Sequence, residues 1–328
     1  MTTDGGGTLD AATRSWLAAQ PLDGGRVRAV APLDGGYSND MLLLTTERGS
    51  RYVLRRYRSG GHLERRLPCA VERAVVLRAA RTAPVVRVRA ADPDGRDTGR
   101  PTLLYEYVEG EPLSAVLASP HLHESAEAAS LGRAVGAVLA GVATVRFPAS
   151  GHFADATLRP RPPGPATGEA LAGHVERCLR ERSPESSLTP AEQAALRELA
   201  VVAGELTGRL AEACHLVHND FNPKNVLVRR VSGRWTVAAV LDWELAYSGS
   251  PLVDLGNMLR FAHLYPAPFG ESVAEAFGAA GGVLPADWRR IVRALDLSTL
   301  AYILTSPPDA GLFARARAVL VRDHAALC

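Results

Sequence analysis

Asp220, Asn225 and Asp242 have the side-chain types and the spacing to carry out phosphate chemistry. Asp220 follows the short apolar stretch Leu216-Val217, and Asn225 leads straight into the strand-like run VLVRR. Asp242 closes the next run, WTVAAVLD, across a turn at Ser232-Gly233. A hairpin brings its two outer ends together, so Asn225 and Asp242 are expected side by side, with Asp220 near them. A carboxylate and an amide oxygen at that distance suit magnesium, a hard cation that takes oxygen ligands and shares its shell with phosphates. The third group, the Asp220 carboxylate, can accept a hydroxyl proton. This is the equipment of phosphoryl transfer, where positioning and charge neutralisation do most of the catalysis. Read alone, D-x-x-x-x-N is better taken as a turn cap and a satisfied loop amide. The aspartate after the following strand tips the balance towards chemistry.

The elements that must hold these residues fall into two groups. RVRAVAPL, DMLLLTT and RYVLRRY alternate with the turn signals DGGYSN and ERGS, which reads as an antiparallel meander. LPCAVERAVVLRAA has helical spacing at Leu67, Val71 and Val75, and Pro68 is acceptable in a first turn. PVVRVRA and PTLLYEYV add two strands around the turn-rich DPDGRDTG, and residues 1 to about 10 are expected to be disordered. From EGEPLSAVL onward the character changes. Residues 125–145 form an alanine- and valine-rich helix, the proline-rich 159–168 reads as a surface loop, and Thr189-Pro190-Ala191-Glu192 is a capping box opening a helix to about 213. Beyond 251 the chain looks helical. The expected fold is α+β: a small antiparallel-sheet lobe over 1–108 and a larger, mainly helical lobe over 109–328, with a cleft between them.

A chain of 328 residues exceeds one small core, which agrees with two lobes. The net charge of +2, with arginines spread among acids, gives no case for a nucleic-acid partner. Cys69, Cys178, Cys214 and Cys328 are far apart and form no CxxC pair, which argues against a zinc site or disulfide framework and fits a reducing cytoplasm. The N-terminus is no signal peptide, and no apolar run is expected to be long enough to span a bilayer, so no membrane partner is expected. The oligomeric state is not legible.

On these residues the chain resembles the aminoglycoside phosphotransferase family, which shares the protein-kinase-like fold. H-N-D-F-N-P-K-N followed by L-D-W-E is similar to the family's catalytic and metal segments. DGGYSN resembles its nucleotide loop, RYVLRRY its third strand, VERAVVLRAA the helix with an ion-pair glutamate, LLYEYVEGEPL the hinge, FPASGHF a turn in the C-lobe and PLVDLGNML the segment bracing the catalytic loop. Seven matches in order are far more specific than one. The resemblance implies Asp220 as base or hydroxyl-orienting group, Asn225 and Asp242 as Mg²⁺ ligands, and His218 and Asp254 as supports of the catalytic loop. It further implies nucleotide contacts from Gly35, Gly36, Ser38, Asn39, Arg55, Glu72, Glu106 and Val108. Arg55 stands where the family usually has lysine, and Asn219 where it usually has glycine.

Lys224 is the only lysine in the sequence, two positions beyond Asn222; both are candidates for phosphate or substrate contact. Glu72 alone reads as a solvated helix residue, Arg56 and Arg58 as an exposed strand face, Tyr105 as core, and His121 and His123 as solvated. The function this implies is transfer of the γ-phosphate of ATP, or of GTP, to a hydroxyl of a small molecule such as an antibiotic. The mildly acidic composition from 241 to 328 leans away from a polycationic acceptor. Two alternatives stand beside it: a Ser/Thr kinase acting on a peptide in natural-product biosynthesis, and a catalytically silent nucleotide-binding scaffold.

Overall fold

The structure is a computed structural model that describes residues 9–33, 39–58, 67–119, 122, 125–162, 169–307 and 309–328. The described residues open with a helix that the sequence reading passed over, α1 (Ala11–Ala18), capped by the Asp10 carboxylate on the Thr13 N–H. Leu9, Trp16 and Leu17 are buried against the first sheet, so residues 9 and 10 are structured rather than disordered, because apolar burial there offsets the ordering cost.

Five strands follow as β1 (Val27–Pro32), β2 (Asn39–Thr46), β3 (Arg51–Tyr57), β4 (Val88–Asp92) and β5 (Thr102–Glu106). They form one antiparallel sheet in the order β1-β2-β3-β5-β4. Between β3 and β4 lies α2 (Cys69–Ala79), whose buried face carries Val71, Glu72, Val75 and Val76. The β4–β5 turn wraps the Asp92 carboxylate, which accepts the N–H groups of Arg96, Asp97 and Thr98. Arg56 is not an exposed strand residue: it is buried and paired with Asp10, which α1 brings across the sheet. Arg58 remains exposed and pairs with Asp40.

A short β6 (Glu111–Pro112) carries the chain into the helical part and pairs with the central hairpin there. Then come α3 (Leu113–Ala118) and α4 (Ser125–Ala143), the two-residue strands β7 (His152–Phe153) and β8 (Pro160–Arg161), α5 (Glu169–Arg180) and α6 (Pro190–Thr207). The capping box at Thr189 and Glu192 forms as read, but α6 yields at Gly208 to a single 3₁₀ turn. The start of the proline-rich stretch is part of a tiny hairpin rather than loop; an edge pairing of two residues tolerates proline.

The remaining elements are β9 (His215–Val217), β10 (Val226–Val231), β11 (Arg234–Val240), β12 (Tyr247–Gly249), α7 (Leu252–Leu259), α8 (Pro268–Ala279), α9 (Trp288–Thr305) and α10 (Ala310–Leu327). The window Ala126–Ala143 of α4 is apolar and long enough to cross a membrane by composition, with mean hydropathy 1.3, which corrects the sequence reading. It packs on α8 instead. A Cβ at Gly132 would lie 2.4 Å from Phe269 O and one at Gly136 2.2 Å from Val273 O, so only glycine allows these backbones to approach.

Candidate active site

Three successive backbone N–H groups between β9 and β10 are clamped by side chains. Asp254, buried in the first turn of α7, accepts His218 N–H at 2.8 Å and Asn219 N–H at 2.7 Å. His218 lies 2.8 Å from Leu241 O through Nε2 and 3.2 Å from Asp220 N through Nδ1. One tautomer satisfies both contacts: Nε2–H donates to the carbonyl and Nδ1 accepts the amide. Burial pushes the His218 pKa down to about 4, so the ring is neutral and keeps that tautomer. The same burial pushes Asp254 up to about 7, against the pull of its two backbone donors. Asn219 sits at φ 66°, in the left-handed region that asparagine tolerates better than most residues. This explains how it stands in for glycine.

The loop presents the Asp220 carboxylate with both oxygens held. Asn222 Nδ2 donates to Oδ1 at 2.6 Å and Asn225 Nδ2 to Oδ2 at 2.7 Å. Burial first, and the nearby charge of Asp242 second, raise its pKa to about 6. Asn222 also accepts the Lys224 N–H at 2.9 Å, which closes the turn; the Lys224 side chain itself is exposed. The hairpin of β10 and β11 does bring its outer ends together, with Leu241 N–H on Asn225 O at 2.8 Å, so Asn225 and Asp242 flank one another.

From the sheet side, Arg55 on β3 enters the same space. Its Nη1 donates at 2.9 Å to both Glu72 Oε1 and Asp242 Oδ1, and its Nη2 donates to Glu244. Glu72 is buried and paired, not solvated, and Tyr57 donates to its other oxygen at 2.6 Å. Burial outweighs Arg55 and lifts Glu72 to about 7. One guanidinium thus faces three carboxylates, an anionic surplus that a cation would relieve.

The donors present fit a hard metal. The Asp242 side chain is 40% exposed and spends Oδ1 on Arg55, while Asn225 spends its amide nitrogen on Asp220 and keeps Oδ1 as the remaining acceptor. Among the described residues no three His, Cys, Asp or Glu side chains are grouped to hold an ion unaided. A cation here would therefore complete its shell with water and ligand oxygens, which is the habit of magnesium.

Gly35, Gly36 and Ser38 lie outside the described residues, as do His121 and His123. Asn39 opens β2 and donates to Glu244 at 3.1 Å. Glu106 ends β5 with its side chain near Arg87, and Val108 is half-buried in the segment beyond it. Tyr105 is buried core, as read. The residue missed by sequence reasoning is Glu244. The signal was there: a lone acid inside the apolar stretch Trp243-Glu244-Leu245-Ala246, where burial demands a partner.

A profile of the phosphotransferase enzyme family matches residues 29–292. No curated protein matches by sequence. Among solved structures, a thermostable mutant of aminoglycoside phosphotransferase APH(4)-Ia in ternary complex with ADP and hygromycin B is similar at TM-score 0.65 and 17% identity, covering 96% of this chain and 98% of that one. A candidate aminoglycoside phosphotransferase from Ralstonia eutropha reaches 0.65 at 20% identity over 96% of each chain. Macrolide 2′-phosphotransferase MphH from Brachybacterium faecium reaches 0.58 at 20% identity, over 94% and 97%. At these identities the likeness establishes the kinase-like fold.

Proposed function

The chain belongs to the phosphotransferase enzyme family, and from that premise we propose that it moves the γ-phosphoryl group of ATP or GTP to a hydroxyl of a small molecule. The single observation that carries this is the Asp220 carboxylate, gripped by two amide N–H groups beside Asn225 and Asp242. In this reading Asp220 orients the acceptor hydroxyl and takes its proton as the oxygen attacks phosphorus. Its raised pKa, about 6, makes it a better base than an ordinary aspartate while it is still ionised at neutral pH. His218 and Asp254 hold the loop so that this geometry costs no rearrangement.

Asn225 and Asp242 would hold Mg²⁺, whose chemistry is to neutralise charge on phosphate oxygens. Arg55 has five N–H donors, three of them spent on Glu72, Asp242 and Glu244. Its Nε–H, buried without a partner among the described residues as those of Arg56 and Arg89 also are, and one N–H of Nη2 are left for a phosphate oxygen. Residues 1–108 would form the nucleotide side, with Gly35, Gly36, Ser38, Asn39, Glu106 and Val108 as its further contacts. Residues 109–328 would form the catalytic and acceptor side, with Asn222 and Lys224 at its entrance.

The APH(4)-Ia complexes with ADP and with AMP-PNP support an adenine nucleotide as donor. Hygromycin B in those complexes, and the macrolide enzyme among the neighbours, support a hydroxyl-bearing antibiotic or a related metabolite as acceptor. Asp296 on α9 is buried and bound in bidentate fashion by Arg260, so it offers no free charge to a polycation. The test is a screen of macrolides, aminoglycosides and neutral polyols with Mg·ATP and Mg·GTP, read as a phosphoryl mass shift. Transfer by the wild type that Asp220→Ala abolishes supports the reading; a shift that survives Asp220→Ala contradicts it.

A further inference from the structure

Glu244 lies in the turn two residues past Asp242 and is 7% exposed. Its carboxylate accepts from Arg55 Nη2 on β3 and from Asn39 Nδ2 at the head of β2, the latter at 3.1 Å. Its backbone carbonyl accepts Leu67 N–H, just ahead of α2, at 2.7 Å. One residue beside the candidate metal ligand thus reaches three points of the sheet lobe, each at a different element.

We propose that Glu244 is a positioning residue for the donor phosphates, an inference that rests on the phosphotransferase reading. Its work follows from the shape of a guanidinium. Nη1 of Arg55 is shared between Glu72 and Asp242, and those contacts alone leave the planar group free to pivot about Nη1. The Glu244 contact at Nη2 removes that freedom and fixes the direction of the two remaining donors, the unpartnered Nε–H and one N–H of Nη2. A lysine at 55 would be a point charge with no second amino group to fix. Glu244 is therefore coupled to arginine at this position. By holding Asn39 as well, it ties the entry of β2 to the same frame.

The experiment is a double-mutant cycle on Mg·ATP and Mg·GTP binding, measured by calorimetry for wild type, Glu244→Gln, Arg55→Lys and the double variant, with thermal midpoints in parallel. Glu244→Gln is expected to weaken nucleotide binding about tenfold in the arginine background and less than about twofold in the lysine background. Glu244→Asp, which keeps the charge on a shorter arm, should fall between wild type and Gln, and it replaces Gln in the cycle if that variant does not fold. Equal losses in the two backgrounds would overturn the proposal, since a merely structural carboxylate acts independently of residue 55. So would unchanged binding in Glu244→Gln. If the wild type itself binds no Mg-nucleotide, the phosphotransferase reading falls and takes this inference with it; that result differs from a wild type that binds and a variant that binds equally well.

Discussion

Among the described residues three arginines are buried, Arg55, Arg56 and Arg260, and the first and last differ in the balance of charge around them. Arg260, at the end of α7, meets a single carboxylate: Asp296 takes its Nε at 2.8 Å and Nη2 at 2.5 Å, and the neutral Asn257 amide oxygen accepts from Nη2 as well. Arg55 meets three carboxylates and still keeps one buried N–H without a partner among the described residues. The first arrangement is balanced, with the geometry a buried pair needs to offset desolvation. The second is over-supplied with negative charge and leaves two N–H donors over. A buried pair with balanced charge holds a fold together; a surplus of carboxylates around one arginine is shaped for something else, here a cation that arrives with an anionic oxygen.

That contrast can be broken most severely at the catalytic carboxylate. Asp220→Ala should lower transfer on the order of 10³-fold or more while leaving Mg-nucleotide affinity within a few-fold; a comparable loss of binding would mean that Asp220 belongs to the nucleotide site. Next in size, Arg260→Met strands a buried Asp296 and should cost about 3–5 kcal/mol of stability in denaturant unfolding. The double change Arg260→Met with Asp296→Leu should recover much of it, as expected of a closed structural pair. Arg55→Lys should do the opposite, disturbing nucleotide binding far more than stability. If both arginines moved stability alone, the distinction would collapse.

The histidine of the catalytic loop offers a smaller effect with a definite sign. His218 has a folded pKa of about 4, below the ordinary histidine value of 6.5, because burial disfavours its charge. Its contribution is fully present above pH 6.5 and is lost as pH falls through about 4, amounting to about 3 kcal/mol. His218→Gln can keep both hydrogen bonds without titrating. Its stability should therefore fall less steeply between those limits, by close to one proton in the linkage slope. Smallest of all, Lys224→Arg should leave turnover within about twofold, since the side chain is exposed and, among the described residues, only the backbone N–H is engaged, by Asn222.

What was legible in the sequence was whatever repeats locally. Strand alternation, the Thr189 capping box and the Ser232-Gly233 turn each declare themselves within a few residues. The hairpin then placed Asn225 beside Asp242 by geometry alone. Contacts between distant segments stayed hidden. Arg56 looked exposed because its partner, Asp10, is 46 positions away on a segment that appeared too polar to order. Glu244 went unassigned because its partners, Arg55 and Asn39, come from the other lobe, 189 and 205 positions distant. Asn219 was puzzling until its backbone angle was known, for a left-handed φ leaves no trace in composition.

The central claim is that the anionic surplus around Arg55 and Asp242 is completed by magnesium and a nucleoside triphosphate. Calorimetric titration of ATP and of GTP into the wild-type protein, with and without Mg²⁺ and alongside Asp242→Asn, tests it most directly. Binding of at least one nucleotide that requires Mg²⁺ and weakens at least tenfold, or about 1.4 kcal/mol, in Asp242→Asn is the predicted result. Binding that is indifferent to both the metal and the substitution, or no binding of either nucleotide, would contradict it.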